Sequence, residues 1–172
     1  MKATTMMIAG LLAAPLAFGS AWAAAPPQQD AKWLQGIHQG CHFVIQASQY
    51  EVKNGSSPLA QKYAQKLIAQ DEYVDSKAKA LAQAQHVSLP NGLTPKQQQE
   101  LSEIKATSAT GLDKLYSNTL LESEIQFGNQ ALQEITHGEA QPVKSFATFL
   151  LPAINLEANM FQHAVSQMNA PL

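Results

Sequence analysis

Four long stretches of this chain carry apolar residues at three- and four-residue spacing, and each is bounded by Gly, Pro, Ser or Thr. Only a period near 3.6 residues brings such positions onto one face, so the pattern commits most of the chain to amphipathic helices. The first predicted helix covers residues 30–54 and stops at Gly55-Ser56-Ser57. The second takes Ser57 as N-cap and Pro58 as its first helical residue, where the missing proline N–H costs nothing. It runs to about residue 85. A loop over 86–93 holds Pro90-Asn91-Gly92. A short helix follows, capped by Thr94 with Pro95 at its start, to about residue 107. The third long helix spans about 112–136 and stops at His137-Gly138, with glycine where helices commonly end. The fourth spans about 142–168, and Pro152 inside it is expected to kink it. No stretch shows the two-residue alternation of a strand.

These elements predict an all-α fold, a ferritin-like four-helix bundle. The first and last interhelical connections are short and make antiparallel neighbours. The middle one is long enough to cross the bundle end to end, with the short extra helix lying in that crossover.

The N-terminus reads as an export signal. Lys2 supplies a positive charge, residues 6–18 are apolar, and Ala21-Trp22-Ala23 has the small-residue form of a cleavage site. The apolar run is shorter than the ~20 residues a spanning helix needs. The expected organisation is a signal peptide over 1–23, a flexible arm over 24–30 with Pro26-Pro27, and a bundle domain over 31–169. The mature chain would be periplasmic or secreted, with no transmembrane segment. It would keep ten Lys against thirteen acids and no Arg. Nucleic-acid binders carry basic patches, usually with Arg, so that class is excluded. A protein partner or a homo-oligomer cannot be read from this sequence. A single cysteine, Cys41, provides no disulfide framework, so the core must hold the fold.

Helical wheels place three acids inside apolar stripes. Asp71 falls among Leu67, Val74 and Ala78, Glu124 among Leu120, Leu121 and Phe127, and Glu157 among Ile154, Phe161 and Val165. Each acid is near the midpoint of its helix, and midpoints meet in an antiparallel bundle. The three carboxylates are therefore expected to converge at one level of the core. Buried charges are costly unless paired, protonated or metal-bound. One reading is a site for a hard divalent ion, Mn, Fe, Ca or Mg. The other is a polar core layer, with the acids protonated, solvated, or bonded to Tyr63, Tyr116, Ser48 or Asn155. On the first helix Cys41 reaches the same level and is a candidate fourth ligand, or a small residue permitting close packing. Glu51, at the edge of that stripe, is the fallback.

His38, Cys41 and His42 have a spacing that could seat Zn or Cu on one helix. Against this, Cys41 faces the core while His42 is turned roughly 100° from it. His86 lies in a loop, His137 near a helix C-terminus that suits its charge, and His163 on an outer face. The chain has no G-x-S-x-G, H-E-x-x-H or P-loop motif, nor the doubled Glu-x-x-His of di-iron bundles. It therefore points away from an enzyme, and no catalytic residue is expected.

Between about residues 33 and 163 the chain resembles a bacterial, mostly exported, ferritin-like domain family of unknown function. The resemblance is carried by Ala64-Gln65-Lys66-Leu67-Ile68 leading to Asp71, by Leu81-Ala82 and Val87-Ser88-Leu89-Pro90, by Leu112-Asp113 with Tyr116, and by Leu151-Pro152. It implies His at the positions held here by Asp71, Glu124 and Glu157, and Glu at the position of Val44. Imidazoles suit Zn, Fe or Cu; carboxylates favour harder ions, or mark a site that has lost its metal. Two functions follow as expectations. The first is an exported bundle binding one divalent ion through Asp71, Glu124 and Glu157. The alternative is a non-catalytic cell-envelope or stress-associated interaction module with a structural polar layer.

Overall fold

The computed structural model describes residues 27–169. It contains helices α1 (Gln28–Asn54), α2 (Pro58–Ala84), α3 (Pro95–Ala106), α4 (Ala109–His137) and α5 (Gln141–Met168). The proposed signal peptide and residues 24–26 of the proposed arm lie outside the described residues. Helix α1 begins at Gln28, inside the stretch expected as an arm. The start signals act as their chemistry predicts. The Ser57 side chain accepts from the Ala60 N–H. Thr94 and Gln97 form a reciprocal capping box at the start of α3. Helix α5 runs through Pro152 without interruption.

Helix α1 packs along α2, α4 packs along α5, and the two hairpins meet mainly through α1 and α4. The end of α1 lies beside the start of α4, where Ser48 and Tyr116 bond at 2.8 Å. Those two helices are therefore antiparallel, so α2 and α4 run parallel and need the crossover that contains α3. This is the four-helix arrangement expected above, with α3 closing over α1 and α4.

The core is divided. One apolar cluster gathers Trp33, Leu34, Ile37, Ala78, Val143, Phe146 and Leu150. The other gathers Phe43, Val44, Leu67, Ile104, Leu112, Tyr116, Leu120 and Phe161. Along α2, α4 and α5 the boundary between the clusters falls at Asp71, Glu124 and Glu157.

The two hairpins are built alike. Asp30 and Asp113, Cys41 and Glu124, Glu51 and Glu134, and Gly55 and Gly138 are each 83 residues apart. Asp113 accepts from the Ser56 and Ser57 N–H groups at 3.0 and 3.2 Å and from the Ser56 hydroxyl, fixing the α1–α2 turn. Asp30 does the same for the α4–α5 turn, accepting from the Glu139 and Ala140 N–H groups at 2.9 and 2.8 Å. Each Asp neighbours a fully buried glutamate, Glu51 or Glu134.

Candidate metal centres in the bundle

Asp71, Glu124, Glu157 and Cys41, from four different helices, line one cavity of about 50 Å³ together with Gln70 and Phe127. Pockets for organic ligands run from roughly 300 Å³ upward, so this space suits water or a small ion instead. Helical register explains the convergence: each residue stands near the middle of its helix, on the face turned inward.

The carboxyl groups have few partners. Gln70 Nε2 donates to Glu157 Oε1 at 2.8 Å. Gln70 Oε1 is itself buried with no partner. Glu124 is only 4 % exposed, and no donor among the described residues reaches it. Burial, reinforced by Glu157 and Asp71, pushes Glu124 well above the usual carboxylate range. Burial raises Asp71 to about 8, against the neighbouring Cys41 thiol and with help from Glu157 and Asp75. Burial also raises Glu157, with Gln70 and Lys66 opposing. The layer can therefore be neutral by holding protons, or can exchange them for a cation.

The hydroxyl and amide partners expected for these acids lie elsewhere. Ser48 and Tyr116 bond to each other, and Asn155 is exposed. Cys41 adjoins Asp71, and burial pushes its thiol well above its ordinary value. Without a bound cation, burial keeps this thiol protonated beside Asp71. Glu51, the fallback ligand, is at the far end of α1 against Asp113, away from this cavity.

A second constellation lies on the other side of Cys41. His38 and His42, one turn apart on α1, face Asp75 of α2, with ring centroids 4.4 Å apart. His38 Nδ1 is 2.5 Å from Asp75 Oδ1, and His42 Nε2 is 3.3 Å from Asp75 Oδ2. Lys79 Nζ contacts Asp75 Oδ2 at 2.6 Å. Burial pushes the Asp75 pKa up, but hydrogen bonds from Lys79 and His38 outweigh it and hold the group below the usual range. Among the described residues, this is the group of three metal-ligating side chains whose donor atoms all lie within 4.8 Å of one another. The carboxylate layer is wider than that. His42 is indeed turned away from the Cys41 face, but toward α2, so the third partner of the His pair is Asp75 and not Cys41. Asp75 was not singled out from the sequence. The i, i+4 relation between Asp75 and Asp71, which faces the α1 side of the bundle, was the signal that could have found it.

Of the remaining histidines, His86 lies in the loop after α2 with a left-handed φ of 55°. His137 is in the last turn of α4, and His163 bonds Gln167 at 3.0 Å on the surface. A larger cleft of about 200 Å³ sits near the start of α2, lined by Leu59, Tyr63, Phe161 and Met168 and by no charged group.

A family model described as "Domain of unknown function (DUF4142)" matches residues 16–164. No curated protein matches the chain. Two solved structures are similar in fold. One is a DUF305 fragment from Deinococcus radiodurans, at 7 % identity and a TM-score of 0.73, covering 83 % of this chain and 98 % of that one. The other is a conserved hypothetical protein, Rv2844, from Mycobacterium tuberculosis, at 15 % identity and a TM-score of 0.63, covering 84 % and 94 %.

Proposed function

We infer that this chain, which belongs to the DUF4142 family, is an exported helical bundle that holds one hard divalent cation in the layer of Asp71, Glu124 and Glu157. One observation carries the reading: three acids and a thiol from four helices line a single small cavity between two apolar cores. An apolar layer would pack such a core without the desolvation cost of three carboxyl groups. A cation offsets that cost, and oxygen ligands suit Mn, Fe, Ca or Mg. The three acids are not close enough to share one ion directly, so an ion here would keep water between itself and some of them, as Mg commonly does. Lys2, the apolar run over 6–18 and Ala21-Trp22-Ala23 support export and acquisition of the ion outside the cytoplasm. Among the described residues no helix is long and apolar enough to cross a membrane.

The rival reading is a structural polar layer in a non-catalytic envelope module. The raised pKa values favour it, because protons alone can neutralise the layer. Metal content separates the two. Protein isolated from the periplasm without chelator should carry close to one Mn, Fe, Ca or Mg per chain, and Glu124→Gln should carry far less. Metal-free native protein, or equal content in both, favours the structural layer.

A further inference from the structure

We propose that His38, His42 and Asp75 form a second, separate metal site, for a borderline transition ion of the Zn(II) or Cu(II) class, clipping α1 to α2. Two imidazole nitrogens and one carboxylate oxygen are a ligand set these ions prefer over Mg or Ca. The backbone presents them: residues four apart on α1 bring their rings together on one face, tilted by 59°, and antiparallel α2 brings Asp75 opposite. A tetrahedral zinc ion with bonds of about 2.0–2.1 Å holds its ligand atoms roughly 3.4 Å apart. The 2.5 and 3.3 Å separations to Asp75 and the 4.8 Å limit on the whole group bracket that value, so small side-chain shifts suffice.

The site is half open. The His38 and Asp75 side chains are 9 % and 8 % exposed, and His42 is 40 % exposed. An ion can enter past His42 and keep a water there as its fourth ligand, the arrangement of three protein ligands and one open position. Lys79 is the internal competitor. Its ammonium occupies Asp75 Oδ2, but its side chain is 53 % exposed and free to swing into solvent when an ion arrives. The native hydrogen bonds to Asp75 thus stand in for the ion's charge when it is absent.

This site shares no ligand with the carboxylate layer, so the two proposals fail independently. The test is calorimetric titration of chelator-treated full-length mature protein with Zn(II), supported by the visible spectrum of the Co(II) form. We expect one Zn(II) bound per chain, at least tenfold weaker binding in His42→Ala, and unchanged binding in Glu124→Gln. Lys79→Gln should bind several-fold more tightly, an effect that a purely structural histidine pair would not produce. His42 is partly exposed, so its alanine variant should fold, and helical circular dichroism checks this. Absence of Zn(II) binding by the native chain, or undiminished binding in His42→Ala, overturns the site. A Lys79→Gln variant that binds no more tightly removes Asp75 from the ligand set and overturns it equally.

Discussion

A carboxyl group buried beside another carboxyl must keep a proton, and Glu51 and Glu134 are in that position at opposite ends of the bundle. Burial, then the hydrogen bond and charge of Asp113, raises Glu51 to about 8. Burial, then Asp30, raises Glu134 to about 7. The buried Glu51 oxygens have no donor of their own, whereas Gln29 and Lys144 partly oppose the shift at Glu134. Both groups ionise near their ordinary value of 4.5 when the chain unfolds. Between that value and 7 to 8 the native state binds more protons than the unfolded state, so stability must fall as pH rises through this window. The contribution of these two groups is greatest below the window and is lost above about pH 8. Thermal unfolding between pH 5 and 9 checks the slope. Glu51→Gln, which retains a donor for Asp113, should flatten it and melt above the native chain at pH 8.5. At this scale the sequence was only partly legible. Asp71, Glu124 and Glu157 stand out because acids interrupt their apolar stripes. Glu51 lies at a stripe edge near a helix end, where a glutamate is ordinarily solvated, and only the fold brings Asp113 over it.

Helix boundaries follow from local chemistry, and for that reason they were readable to within a few residues. Ser57-Pro58 and Thr94-Pro95 satisfy backbone groups that any helix start leaves free. The glycines at the ends of α1 and α4 have another cause. Gly55 and Gly138 have φ near −60° and need no special backbone freedom. They leave room for the glutamate side chain folded beneath the cap: a Cβ on Gly138 would meet the Glu134 carboxyl and its carbonyl oxygen, the latter at 2.5 Å. Gly138→Ala should therefore cost about 1–3 kcal/mol, the range for overpacking. Gly128 supplies the contrast. A Cβ there meets Asn155 and Ile154 at ordinary distances of 3.6 and 3.7 Å. Gly128→Ala should be neutral or stabilise by up to about 1 kcal/mol through helix propensity. Denaturant unfolding of the two variants checks both signs. The signal for the paired turns was present as the 83-residue spacing between α1 and α4, which appears only when those helices are compared in register. Helical wheels likewise located His42 by angle but could not show that α2 lies on that side.

For the whole molecule, the antiparallel arrangement turns a one-dimensional fact, acids near helix midpoints, into a polar layer that separates two apolar cores. That much was legible because midpoints must meet in any such bundle. The distances between the acids were not, since side-chain reach and helix separation decide them. A bundle holding an ion in this layer gains stability across α2, α4 and α5 at once. Saturation at 100 times the dissociation constant should add roughly 2.7 kcal/mol. The deciding measurement is the melting temperature of chelator-treated protein, in a His42→Ala background that silences the histidine site, with and without saturating Mn(II), Fe(II), Ca(II) or Mg(II). We predict a rise of several degrees with at least one of these ions, abolished by adding Glu124→Gln. No rise with any of the four, or an equal rise in the Glu124→Gln protein, would contradict ion binding by the carboxylate layer.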